Sequence, residues 1–273
     1  VAWCFCNYFK TLKSEPIKMK TSKYVRSVSL LGSVMLLVFS QLPAAEHGKS
    51  HWTYEGAEGP EHWGALSDAY RMCSEGSNQS PIDLVADANA SLPELEFEYY
   101  SNFVDEINNG HTIQQNIQPG SFLKIGENGG SYQLKQFHFH SPSEHIINGK
   151  SFAMEVHFVH VNEEGALAVV GVMIEEGLAQ PVLSQLWAFM PEHAGDSIQQ
   201  PVGIEETNLL PPTRDYFAYN GSLTTPPCSE GVKWMVLKTP IEASTDQISV
   251  FKSRIGEANN RPVQSHNARL ILD

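Results

Sequence analysis

Gln136-Phe137-His138-Phe139-His140, followed by Met154-Glu155-Val156-His157-Phe158-Val159-His160, is the stretch that decides how this chain folds and what it can do. Both runs are short, rich in aromatic and β-branched residues, and partly alternating, which is the pattern of β-strands. Alternate side chains of a strand share a face. His138 and His140 therefore point one way with Gln136, and Phe137 and Phe139 point the other way. Two imidazoles about 6–7 Å apart along a strand can grip one metal ion from one side. In the second run Glu155, His157 and Val159 share one face, and Val156, Phe158 and His160 the other. If the strands are neighbours, His157 or His160 completes a three-histidine site, and Glu155 on the face of His157 favours His157. Three neutral imidazoles suit zinc and leave a fourth position for water, the arrangement of a catalytic rather than a closed structural site. Gln136 and Glu155 can each accept the N–H of the neighbouring imidazole, which fixes tautomer and aim. The competing interpretation is a set of half-buried strand histidines, each satisfied by a hydrogen bond. The paired histidines, the third histidine and the two acceptors together favour the metal.

The surrounding sequence carries the same strand signal. Leu95–Tyr99, Ser121–Ile125, Tyr132–His140, Phe152–Val161, Leu167–Glu175 and Lys233–Leu237 read as strands. Helical signals are fewer. Gln180-Pro181-Val182 introduces a helix over Leu183–Phe189, and Ser244-Thr245-Asp246 caps one running to about Ala258. Residues 46–93, rich in Gly, Pro, Ser and Asn, read as ordered loop wrapped on the domain. The pattern predicts a single mainly-β (α+β) domain over 46–273 with a few peripheral helices. Ser80-Pro81 and Pro226-Pro227 are candidate cis bonds in tight turns. The chain has 273 residues, 41 % of them apolar and 18 % charged, which supports a sizeable core and excludes intrinsic disorder or a collagen-like repeat. Its net charge of −13 excludes a general nucleic-acid binder.

The N-terminus reads as an export signal. Met19 is followed by Lys20, Lys23 and Arg26, then by a mostly apolar run from Val28 to Leu42, then by Pro43-Ala44-Ala45 as a cleavage site. That run is about 15 residues, short of the roughly 20 that span a bilayer. Residues 1–18 fit no part of the pattern and read as an upstream extension of the reading frame, with 19–45 as the signal peptide. Residues 1–45 hold six of the cations and one acid, Glu15, which leaves 46–273 at −18, an acidic product with little attraction to anionic membranes. Export to the periplasm is expected, with full secretion as the alternative. Cys73 and Cys228 are the two cysteines beyond the leader. In an oxidising compartment they form a candidate disulfide, whose long loop contributes roughly 4–5 kcal/mol in the chain-entropy model. Neither has a CxxC partner that would favour a metal or redox role.

The motifs QFHFH at 136–140, SEH at 143–145, EVHFVH at 155–160, GSLTTPP at 221–227 and VKW at 232–234 resemble an α-class carbonic anhydrase. His51-Trp52-Thr53-Tyr54, Gly59-Pro60-Glu61-His62-Trp63-Gly64, Asn78-Gln79-Ser80-Pro81-Ile82-Asp83, Asn108-Asn109-Gly110-His111 and Asn260-Arg261-Pro262 agree, so the resemblance covers nearly all of 51–272. It implies a large twisted, mostly antiparallel sheet with small flanking helices and a zinc ion in a conical cleft. It also implies reversible hydration of CO₂ to bicarbonate by zinc-bound hydroxide, with weak esterase activity as a side reaction. The implied zinc ligands are His138, His140 and His157, oriented by Gln136, by a backbone carbonyl such as that of Asn259, and by Glu155. Thr224 accepts from the hydroxide and donates to Glu144, and Thr225 positions bicarbonate. Val159, Val169, Leu223, Val232 and Trp234 match the apolar wall for CO₂. His111 matches the proton shuttle, with Tyr54, Asn109 and Gln114 ordering its water chain. Gln114 departs from the Asn of animal enzymes, and the short Ser141-Pro142-Ser143-Glu144 segment predicts a more open cleft. The cysteine pair and the leader resemble exported bacterial forms, which by analogy extends to a homodimer. A non-catalytic binding domain of the same fold is the alternative, and the complete histidine set with Thr224 and Glu144 argues against it.

Overall fold

The computed structural model describes residues 51–100, 103–199, 204–256 and 258–273. The expected extension at 1–18 and the signal peptide at 19–45 lie outside these residues. Twelve strands follow in chain order: β1 Asp83–Leu84, β2 Leu95–Glu98, β3 Phe103–Asn108, β4 Ile113–Ile117, β5 Phe122–Ile125, β6 Ser131–His140, β7 Ile146–Ile147, β8 Met154–Val161, β9 Leu167–Glu176, β10 Ser197–Ile198, β11 Tyr216–Ser222 and β12 Glu230–Ala243. Ten of them form one sheet, with a main path β10-β3-β4-β6-β8-β9-β12-β11 and β2 attached through β5 to β6. All its pairs are antiparallel except β9 with β12. The result is a large mixed sheet with few small helices, as the strand pattern predicts.

Strand alternation divides the core into two layers. Phe137, Phe139, Val156, Phe158, Val170 and Val172 pack on one face with helices α3 (Pro181–Trp187) and α4 (Thr245–Ile255). Val169, Met173, Val232, Trp234 and Val236 pack on the other. Helix α4 begins with the Ser244 hydroxyl accepting from Gln247 N at 3.2 Å while Gln247 Oε1 accepts from Ser244 N at 3.1 Å. It ends at Ile255 rather than near Ala258, because Gly256 turns left-handed with φ 88° and its N–H closes on Lys252 O. The loop expected over 46–93 contains two single-turn helices, α1 (Trp63–Leu66) and α2 (Met72–Glu75). Cys73 and Cys228 are joined by a disulfide. Ser80-Pro81, Ser141-Pro142 and Pro226-Pro227 are cis. Among the described residues no helix is long and apolar enough to cross a membrane.

Candidate active site

Strands β6 and β8 are neighbours, and their register sets His138 directly opposite His157. This brings His138, His140 and His157 together, with one ligand nitrogen of each within 4.8 Å of the others. Their ring centroids are 4.6–5.4 Å apart. His160 faces the other layer, where it bonds to the Tyr99 hydroxyl at 2.6 Å and the Ala168 carbonyl at 3.1 Å. Burial, opposed by hydrogen bonds to the Ala168 and Phe158 backbone, lowers its pKa to about 4.

Two imidazoles of the triad have one ring nitrogen hydrogen-bonded, and the third has one against a carboxylate. His138 Nδ1 lies 2.8 Å from Gln136 Oε1, and His140 Nδ1 lies 2.7 Å from the Asn259 carbonyl. His157 Nε2 lies 2.8 Å from Glu155 Oε1, a contact close in distance but short of hydrogen-bond alignment, so that Nε2 is buried without a bonded partner. The nitrogens left over are Nε2, Nε2 and Nδ1, and that of His140 is buried with no hydrogen bond. Burial first, then the charges of His140 and His157, hold His138 well below the usual histidine range. Burial also lowers His140 against the pull of Glu144. Burial acts to lower His157 as well, but Glu155 outweighs it and raises the group, so a metal competes there with a proton. Imidazole nitrogens gathered within 4.8 Å of one another fit a divalent ion that prefers neutral nitrogen ligands.

Glu155 is completely buried and holds more than His157. Its Oε2 accepts the Glu144 and His145 backbone N–H groups, both at 2.9 Å, and its Oε1 meets His145 Nδ1 at 2.8 Å. Burial alone raises the Glu155 carboxyl; His145 and His157 outweigh it and hold the group well below the usual carboxylate range. Gly171 makes this possible, since a Cβ there stands 2.8 Å from Glu155 Oε1. His145, Glu155 and His157 form a second set within metal-binding reach, but the Glu155–His145 hydrogen bond already joins two of its members. From His145 Nε2 a chain of bonds runs to the Tyr219 hydroxyl at 2.6 Å, the Ser80 hydroxyl at 2.8 Å and the Ser222 N–H at 3.0 Å, reaching the segment that carries Thr224.

Glu144 is buried beside the triad. Its Oε1 accepts the Arg261 N–H at 2.8 Å, and its Oε2 lies 3.4 Å from His140 Nε2 with no hydrogen bond. The expected bond from the Thr224 hydroxyl to Glu144 is therefore not made here: Oε2 faces the imidazoles instead. Thr224 is itself buried, and the loop around it is pinned by Cys228 N donating to Thr225 O at 2.8 Å and Leu223 N to Ser229 O at 3.0 Å. Val159, Val169, Leu223, Val232 and Trp234 pack in one apolar cluster, and Trp234 stands edge-on to His157 at 4.9 Å.

His111 occupies the turn before β4 and is half-buried. Its ring stacks on Trp52 with centroids 3.6 Å apart and planes 6° apart. Burial, then the charge of His51, lowers its pKa. Asn109 Oδ1 accepts the His111 and Thr112 N–H groups, both at 2.9 Å, while its Nδ2 donates to Gln114 Oε1 at 3.4 Å. Burial, then Glu144, raises the Tyr54 hydroxyl well above the usual tyrosine range. Sequence reasoning assigned no role to His145, Arg261, Trp52 or Gly171. The SEH and Asn-Arg-Pro motifs marked the first two, whereas their partners lie far away in the chain.

A family model for eukaryotic-type carbonic anhydrases matches residues 58–273. The chain is 44 % identical over 243 residues to a carbonic anhydrase of Klebsiella pneumoniae, covering 89 % of this chain and 98 % of that one. It is 43 % identical over 254 residues to one of Neisseria gonorrhoeae, covering 92 % and 99 %. Among solved structures it matches the α-carbonic anhydrase of Thermovibrio ammonificans in complex with the inhibitor sulfanilamide, with a TM-score of 0.80 and 45 % identity over 83 % of this chain and all of that one.

Proposed function

From its membership of the eukaryotic-type (alpha) carbonic anhydrase family, to which this chain belongs, we infer that it is a zinc enzyme hydrating CO₂ reversibly to bicarbonate and a proton in the cleft of His138, His140 and His157. The observation that carries this reading is the triad itself, whose three imidazoles each bring a nitrogen within 4.8 Å of the others, with Gln136, the Asn259 carbonyl and the Glu155 carboxylate beside their rings. When bound there, zinc would supply the Lewis acidity that lowers the pKa of a water from about 15.7 to about 7, a value general to carbonic anhydrases.

The protein's own contribution is placement. Gln136, the Asn259 carbonyl and Glu155 hold the imidazoles in register. Val159, Val169, Leu223, Val232 and Trp234 offer CO₂ an apolar wall. Thr224 imposes direction once it donates to Glu144, because its lone pairs then face the cleft, and the unpartnered Glu144 Oε2 is the acceptor available for that proton. Thr225 orients bicarbonate. His111 takes the product proton across the polar strip of Tyr54, Asn109 and Gln114, and its ordinary pKa near 6.5, lowered by burial, suits it to release that proton to buffer. Slow ester hydrolysis is expected from the same centre.

The test is stopped-flow CO₂ hydration by residues 46–273, normalised to bound zinc. Fast hydration that is lost on chelation and restored by zinc is the expected result. One zinc per chain without hydration would overturn it in favour of a binding domain. We place the mature enzyme, 46–273, in the periplasm as a homodimer, on the leader pattern and the likeness to exported bacterial forms. N-terminal sequencing of the periplasmic product should begin near Glu46, and light scattering should give twice the chain mass.

A further inference from the structure

We infer that the side chain of Asn259 is a positioning group that sets the His111 turn against the metal-holding end of strand β6. The inference rests on the reading above, in which His140 holds the metal and His111 carries the proton. Asn259 is completely buried, and each of its polar groups is engaged. Its N–H donates to Ser141 O at 3.2 Å and its carbonyl accepts from His140 Nδ1 at 2.7 Å. Its Oδ1 accepts from Ser141 N at 2.7 Å, and its Nδ2 donates to Phe139 O at 2.9 Å and to His111 O at 3.0 Å. One residue thus bonds to the ligand His140, to the residues on either side of it, and to the backbone of the proposed proton carrier.

The His111 turn has a second tether at the same point. Thr112 Oγ1 donates to Phe139 O at 2.5 Å, so two donors, one from the turn and one from Asn259, converge on the carbonyl between His138 and His140. Asn109 shapes the turn from within but does not tie it to β6. The carboxamide alone offers an acceptor for Ser141 and two donors aimed at His111 and Phe139. A side chain that merely filled this space would not define the distance from His111 to the metal-holding end of β6, on which a relayed proton depends.

The test compares Asn259→Ala, Asn259→Asp, His111→Ala and the double variant His111→Ala with Asn259→Ala. Asn259→Asp keeps the acceptor and the volume while deleting both donors, and it serves if Asn259→Ala does not fold. CO₂ consumption sets kcat/KM, whereas proton exit enters kcat in dilute buffer. The expected result for the Asn259 variants is a fall in kcat of about tenfold or more, since a displacement of ~1 Å can cost about 10²-fold, and this fall exceeds any fall in kcat/KM or zinc content. Added imidazole restores kcat, and the double variant is no slower than His111→Ala, because both changes act on one step. Parallel loss of kcat/KM and zinc without rescue would make Asn259 a purely structural residue and overturn the inference. So would an unchanged kcat in the Asn259 variants while His111→Ala is slow. An unchanged kcat in His111→Ala itself would overturn the assignment of the proton carrier and this inference with it.

Discussion

Replacing Glu155 by glutamine exchanges one oxygen for an NH₂ group at almost constant volume, so it counts the acceptors that the site needs. The carboxylate accepts three hydrogen bonds, from the N–H groups of Glu144 and His145 on Oε2 and from the His145 imidazole on Oε1, and Oε1 also stands 2.8 Å from His157 Nε2. Glutamine offers one oxygen, so the groups on one side must face an NH₂ instead. All these groups are buried, and no water can replace the lost bonds. Buried donors left unpaired cost about 1–3 kcal/mol each, and removing one partner from a buried charged network costs about 3–5 kcal/mol. We therefore expect zinc-free Glu155→Gln to lose about 3–5 kcal/mol of stability, read from urea unfolding at neutral pH. Zinc affinity should fall about 10–100-fold, because His157 loses the acceptor that aims it, and competition with a chromophoric chelator measures this. A variant that unfolds within about 1 kcal/mol of the parent and releases zinc equally slowly would refute the view that this carboxylate is the hub of the site.

Gly171→Ala should reproduce part of the same defect, since its Cβ would stand 2.8 Å from Glu155 Oε1; equal zinc retention in the chelator assay would count against the steric argument. His160, lowered to about 4 in the fold, takes up its proton in the unfolded chain near pH 6.5, so the stability it contributes is complete above pH 6.5 and lost as pH falls towards 4. Between pH 7 and pH 4.5 the parent should lose about 2–3 kcal/mol more than His160→Gln, at about 1.4 kcal/mol per pH unit, and equal losses in urea titrations would remove His160 as the cause. Breaking the Cys73–Cys228 bridge, which spans 155 residues, should cost about 4–5 kcal/mol in the chain-entropy model. It should also lower kcat/KM, because Cys228 N–H holds the Thr225 carbonyl beside Thr224. Unchanged activity in the Cys73→Ser variant would separate the bridge from the loop.

Much of the site was legible because it lies on two strands. The period of two placed His138, His140 and Gln136 on one face and Glu155 with His157 on another, and the structure sets those faces side by side. Six strands escaped the pattern: the two-residue β1, β7 and β10, and three longer ones for a physical reason. In β3 and β4, Glu106 and Gln115 are paired across the ladder and completely buried, so polar residues stand where alternation demands apolar ones. The third, β11, ends in Asn220-Gly221-Ser222 and reads as a turn, although Gly221 is what leaves room for the Ser80 hydroxyl. Helix α4 was announced by its cap but overrun by three residues, since the left-handed Gly256 ends it.

By itself the sequence determined the mainly-β class, the three imidazoles and two of their acceptors, because strand periodicity is a local property of neighbouring residues. Only the tertiary structure decided that Asn259 reaches His140 and His111, that Arg261 N–H holds Glu144, that His145 links Glu155 to Tyr219, and that His111 lies on Trp52. Those contacts join residues far apart in the chain. Their pairing follows from burial and hydrogen-bond satisfaction summed over the whole sheet, which no local pattern encodes.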